Sequence, residues 1–375
     1  DCCALTSYQD ENGQTTVVER DSLQRPLSVT DPLGNVRSFD YDGNGNVVAW
    51  TDPLGQISTH TYDAANRWVG WTNPVGAIVQ MTYDTRGNLT SLTDPGSGTT
   101  GFTYDNNDHP VSVTDPLAWT QALSWNLLGQ FTLLTNARGR AVGFEYDEDG
   151  RLVARKHDGS PFAGYAYDND GNLTTVVDAT GTTTYVHNAQ GRVIEVQYDI
   201  GRATLAYDAA GNLTSITYPS GLRTDYTYDA RNRVIAMSWG DHAITFGYDA
   251  VGNLLSEFRS NGVNSMYTYD ANNRSTGIEH ARGAEVIAGF QYSRNPVGSI
   301  IEETNRLPLA PSFKEKTSVM EYNDANQLVS MDGNPCTYDQ DGNLADMGDT
   351  FSATYDPENR LTAVTQGGNQ KIYSC

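Results

Sequence analysis

The sequence predicts an all-β fold in which tandem β-hairpins join into one spiralling or tubular antiparallel sheet, a β-shell. Three observations predict it. Tyrosine–aspartate pairs at Tyr41, Tyr62, Tyr83, Tyr104, Tyr146 and Tyr167 are spaced by 21 residues or a multiple of it. Between them recurs a second turn signal, as in Asp31-Pro32-Leu33-Gly34 and Asp52-Pro53-Leu54-Gly55. Ahead of each tyrosine, large and small or polar residues alternate. A period in this range marks an array of small units, each needing its neighbours to bury an apolar face.

The regular array runs over residues 1–275. Arg20-Asp21 keeps the phase upstream, and Trp125-Asn126 fills the slot between Tyr104 and Tyr146. Beyond Tyr167 come His187-Asn188, Tyr207, Tyr228, Tyr248 and Tyr269, in steps of 20 or 21. The unit from Tyr83 shows the plan. Asp84 and Gly87 bracket a tight turn, since aspartate accepts nearby backbone amides and glycine takes positive φ. A short strand, 88–93, leads to a second turn at Asp94-Pro95, where proline presets φ. The second strand then runs to Tyr104.

Two residues before the tyrosines stand Phe39, Met81, Phe102, Leu123, Phe144 and Tyr165, with Asp40, Thr82, Thr103, Ser124, Glu145 and Ala166 between. A period of two places the large side chains on one face. Burial of each ring is worth on the order of 2 kcal/mol, and a Tyr104→Ala change in a sealed core costs roughly 3–5 kcal/mol. Gly, Pro, Thr and Asn recur too often for long helices. About thirty strands exceed what an open twisted sheet sustains, so the sheet must curl into a spiral wall, tube or large barrel.

Tyr-Asp-x-x-Gly-Asn-Leu, as at Tyr83–Leu89, Tyr167–Leu173, Tyr207–Leu213 and Tyr248–Leu254, followed by Thr-Asp-Pro-Leu-Gly, resembles the Rhs/YD-repeat family over nearly the whole chain. The resemblance implies a bacterial secreted or cell-surface protein whose hairpins wind into a β-shell. Family shells enclose a C-terminal toxin, as in Tc toxin cocoons and Rhs polymorphic toxins, or serve adhesion, as in teneurins. Two departures stand out: the chain is short for a roomy shell, and it lacks the proline- and glycine-rich segment that usually precedes the toxin. The family's self-cleavage motif has no matching positions.

Past Tyr269 the aromatic anchors are Tyr292, Tyr322, Tyr338 and Tyr355, in steps of 23, 30, 16 and 17. Residues 276–321 thus form an irregular repeat with a loop insertion at Leu307–Lys316, and 322–375 form shortened terminal repeats. Cys2, Cys3, Cys336 and Cys375 lie outside the regular repeats. Disulfides between successive molecules, a Cys336–Cys375 bridge and free thiols all remain open. A chain beginning at Asp1 without methionine reads as a processed product or a piece of something longer.

A net charge of −22 and a pI near 4.4 exclude nucleic acid as a natural partner. No stretch approaches the ~20 apolar residues of a transmembrane helix. The six histidines are scattered, without zinc spacing, and His60 and His187 occupy ordinary repeat slots. No nucleophile elbow or phosphate loop is present, and no cofactor is expected. The runs Asp168–Asn172 and Asp339–Asn343 resemble the opening of a calcium loop. Their glycine is fourth rather than sixth, which favours turn chemistry. The Asn-Leu-Thr triplets at Asn88, Asn172 and Asn212 are repeat consensus.

The sequence therefore reads as a non-enzymatic extracellular structural protein, a wall, stalk or fibre subunit whose partner is another copy of itself added end to end. Two alternatives stand beside it. One is a fragment of an Rhs-type shell around an encapsulated toxin domain; the other is an adhesion module that binds a cell-surface glycan.

Overall fold

A computed structural model describes residues 6–307, 319–322, 327–348, 351–366 and 369–373. Those residues are strands and turns, with no helix among them. A 29-stranded sheet ends at strand Ile300–Arg306, and a seven-stranded sheet runs from Met320–Tyr322 to Asn369–Ile372. Each strand pairs antiparallel with the next in the chain. Thus Trp68–Thr72 pairs with Ile78–Tyr83, which pairs with Leu89–Thr93, which pairs with Thr99–Tyr104.

The two turn signals occupy opposite ends of the strands, so the sheet has two rims. One carries the Tyr-Asp turns, the other the Asp-Pro turns. The same chemistry builds both. In the Asp84 turn, Oδ1 accepts the Arg86 and Asn88 amides, and the Gly87 amide donates to the Asp84 carbonyl. In the Asp31 turn, Oδ1 accepts the Leu33 and Asn35 amides, and Gly34 donates to the Asp31 carbonyl. A short acceptor at the first position and a residue free to take positive φ at the fourth are sufficient.

Alternation is visible in the burial of strands that run into a tyrosine slot. In Ile78–Tyr83, Val79, Met81 and Tyr83 are half-buried while Ile78, Gln80 and Thr82 are exposed. Among the described residues no second layer covers the aromatic face, however. The buried side chains of the first sheet are small, among them Ser58, Ser265, Val142, Ala163 and Ala203, and only the two serines are fully buried. Tyr104 is half-buried, which corrects the sealed-core expectation. The physical reason is arithmetic: two strands and two turns consume the whole repeat and leave nothing to cover the sheet.

The curl predicted from strand number is present, but as a spiral rather than a closed barrel. The first and last strands of the large sheet, Ser7–Gln9 and Ile300–Arg306, each pair on one side only. Instead the Asp-Pro rim meets the Tyr-Asp rim one circuit later. Asn12 Nδ2 donates to Asp249 at 2.9 Å, Asn272 Nδ2 to Asp31 at 2.6 Å and Asn273 Nδ2 to Asp10 at 3.2 Å, across 237–263 residues. Roughly two dozen strands ~4.8 Å apart make a circuit of about 115 Å, or about 35–40 Å across.

The position of the last regular slot is corrected too. Strands Ser275–Arg282 and Glu285–Arg294 are longer than their predecessors. The register shift that marks each tyrosine slot falls between Ser293 and Arg294. The joint is therefore Arg294-Asn295, not Tyr292, and the Asn295 turn closes in the usual way onto Ser299 and Gly298. The tyrosine is simply one alternation earlier on the same strand.

Candidate functional site

The tyrosine slot is a joint with specific chemistry. At each slot the ladder to the following strand shifts register, as between Thr82 and Tyr83 or Thr103 and Tyr104. Bulges of this kind leave backbone groups unpaired. The phenol supplies the missing donor to the carbonyl that opens the preceding strand. Tyr41 donates to Pro26 at 2.8 Å, Tyr62 to Val47 at 3.0 Å, Tyr83 to Trp68 at 2.8 Å and Tyr104 to Leu89 at 2.9 Å. The same bond runs from Tyr146 to Phe131, Tyr167 to Leu152, Tyr207 to Val193, Tyr228 to Leu213, Tyr248 to Val234 and Tyr269 to Leu254. Trp125 does it with its indole Nε1–H, to Pro110 at 2.8 Å. Arg294 does it with its guanidinium, to Ser275 at 3.0 and 3.2 Å. A side-chain donor that reaches across one hairpin recurs at nearly every slot, and an aromatic ring is the usual way to supply it.

The residue four past the aspartate ties one repeat to the next. Where it is arginine it bridges forward. Arg67 bonds Asp63, donates to the Asp84 carbonyl at 3.0 Å and stacks over the Tyr83 ring at 4.8 Å. Arg25, Arg151, Arg192 and Arg233 stack likewise over Tyr41, Tyr167, Tyr207 and Tyr248. Where it is asparagine, its amide bonds the turn aspartate and then the next turn. Asn46 reaches Asn66, Asn88 reaches Asp108, and Asn253 reaches Asn273. Gly-Asn-Leu is thus a connector as well as a turn.

These bonds set the electrostatics of the rim. The Asn46 side chain beside Asp42, with two backbone amides, holds that carboxyl below the usual carboxylate range. Asn172 and Asn212 do the same for Asp168 and Asp208, and the Asn88 amide leads the effect at Asp84. At the run that resembles a calcium loop, Asp168 accepts the Asp170 and Asn172 amides and the Asn172 side chain. No cluster of three metal-ligating side chains occurs among the described residues. His60 stands half-buried and edge-on to Trp68 at 5.7 Å, and His187 pairs with Val193 at a register shift.

Of the cysteines, Cys336 is a buried free thiol, while Cys2, Cys3 and Cys375 lie outside the described residues. The insertion at 307–316 also falls almost wholly outside them.

One cluster had no signal in the sequence. Arg138, third in the turn that begins at Asn136, projects onto the second sheet. Its guanidinium pairs with Asp341, lies 3.2 Å from Asp339, and donates to the Asp356 carbonyl at 2.8 Å and to Asn359 at 3.2 Å. The Ala137 amide donates to Asp341 at 2.7 Å, and Arg155 pairs with Glu358. The partners lie 203–221 residues apart, beyond the reach of any local pattern.

The RHS Repeat family model matches residues 41–78, 83–118, 167–202 and 207–238. No curated protein matches the chain. Among solved structures, the Photorhabdus luminescens Tc holotoxin pore matches at a TM-score of 0.68 and 18% identity, over 97% of this chain and 22% of that one. The TcdB2-TccC3-Cdc42 and TcdB2-TccC3 crystal structures match at TM-scores of 0.68 and 0.67, with 16% and 17% identity. They cover 97% and 96% of this chain, which spans only 22–23% of theirs. At such identities the likeness is one of fold. The four RHS matches fall between Tyr41 and Ser238, the same joint continues to Tyr269, and over these stretches the chain carries repeats similar to those of the Rhs/YD-repeat family.

Proposed function

We propose that this chain forms part of the wall of an Rhs-type β-shell whose role is structural, enclosing a polypeptide cargo of the toxin class, outside the bacterial cell that makes it. The observation that carries the reading is the meeting of the two rims. A sheet that returns onto itself after one circuit, through Asn12–Asp249 and Asn272–Asp31, bounds a space. The fold likeness to TcdB2-TccC3 structures supports it. The same return of the sheet onto itself ranks the shell above the end-to-end fibre expected from the sequence.

Cryo-electron microscopy of the purified chain tests this. The expected particle is a discrete hollow spiral about 35–40 Å across. Filaments that lengthen with concentration would reinstate the fibre. A flexible reporter peptide with a protease site, fused after Cys375 and cut at the same rate as the free peptide, would count against enclosure by this part of the wall.

A further inference from the structure

The two rim-to-rim contacts in this molecule are chemically different. Within the large sheet, the rim-to-rim bonds join asparagine amides to aspartates. Between the two sheets the faces carry opposite charge. Arg138, Arg155 and His157 stand on the first coil, and Asp339, Asp341 and Glu358 face them from the second sheet. The Asp341 side chain is fully covered and Arg138 is mostly so. Beside them His157 stacks on Phe162 at 3.9 Å, and guanidinium groups from both sheets flank the same ring, Arg155 at 5.2 Å and Arg360 at 4.8 Å. Among the described residues no strand of the second sheet pairs with a strand of the first. The second sheet is therefore held by its turns, through charge, and not by a β-ladder.

We propose that the seven-stranded sheet is a flap, clasped onto the first coil by Arg138 and its acidic partners and released by acid. The idea rests on the shell reading only for what lies behind the flap. The groups that face one another are Arg138 with Asp339 and Asp341, and Glu358 with Arg155, His157 and Arg360. Arg360 also pairs with Asp356, and Asp158 with Arg140. His157 is mostly covered in the docked state, its burial pushes its pKa down, and Arg360 and Arg155 push the same way against Asp356 and Asp158. A depressed folded value means that the docked state holds its full advantage above the ordinary histidine value of about 6.5. The advantage declines as pH falls through the lowered value, because the released state binds the proton more readily. The proton adds a third positive charge beside Arg155 and Arg360.

Hydrogen exchange on the full chain, corrected for intrinsic rates, tests this at about pH 7.5 and about pH 5.5. The turns 136–139, 339–342 and 356–359 are expected to exchange at least about tenfold faster at the lower pH, with the remote turns 84–87 and 229–232 within about twofold. His157→Gln is expected to keep the seam slow at the lower pH. Arg138→Ala is expected to show fast seam exchange already at the higher pH while the remote turns stay protected, which separates release from failure to fold. Seam turns that do not respond to pH, or that rise together with the remote turns, would overturn the flap. Neither outcome bears on the hollow particle sought by microscopy.

Discussion

A phenol that reaches the carbonyl opening the previous strand does the work that a second β-layer does in a sandwich. Each Tyr-Asp slot interrupts one ladder, and the hydroxyl repairs the interruption. Tyr104→Phe therefore removes the bond to Leu89 and is expected to cost about 1 kcal/mol in urea unfolding. Tyr104→Ala adds the loss of a half-buried ring and should cost about 2–3 kcal/mol, less than a sealed core would exact. Equal effects of the two changes would show that the hydroxyl is idle. The aspartates make a separate prediction. Asp42, Asp84, Asp168 and Asp208 all have lowered values in the folded chain. Their contribution is complete above the ordinary aspartate value of about 3.9 and is lost as pH falls through the lowered ones. The contribution of these turns to the melting temperature should stay level from neutral pH down to that region and then drop. Asp84→Asn should blunt the drop, since Asn126 shows that an amide can build the same turn. A melting temperature indifferent to acid would refute this account.

At the scale of the hairpin, the turns and not the aromatics are the more faithful ruler of the repeat. Counting tyrosines places the joint at Tyr292, whereas Asn295-Pro296-Val297-Gly298 places it correctly at Arg294-Asn295. The fourth turn position explains why. It needs positive φ, which Gly171 supplies at 85° and which Asn66, Asn232, Asn273 and Asn359 supply near 60°. A Cβ added to Gly171 meets nothing within 4 Å, so only backbone strain opposes substitution there. Gly171→Ala is expected to destabilise by about 1 kcal/mol and Gly171→Asn by clearly less. Thermal melts of the two variants measure the difference, and equal losses would contradict the conformational explanation.

Across the whole molecule, curvature turns a one-dimensional repeat into an enclosing object. Every strand contacts its sequence neighbours, so the large sheet is expected to lose structure from its ends and not in one step. Progressive loss of exchange protection from strand Ser7–Gln9 inward would show this; a single all-or-none transition would not fit. The rims make the closure. Asn12, Asp31 and Asn272 are ordinary turn residues locally, and only the spiral gives them partners a circuit away.

The sequence by itself determined the hairpin, its two turns, the face that carries the large side chains and the resemblance to Rhs/YD repeats. All of these are written in contacts among residues less than one repeat apart, where turn chemistry and alternation leave a periodic trace. It also required the sheet to curl, because strand number and twist forbid a flat one. Tertiary structure alone decided that the curl is an open spiral, that the aromatic face has no covering layer among the described residues, and that Arg138 meets Asp341. Those outcomes depend on the small rotation between neighbouring hairpins accumulated over a whole circuit. No single repeat records that sum, and the residues it brings together leave no periodic mark.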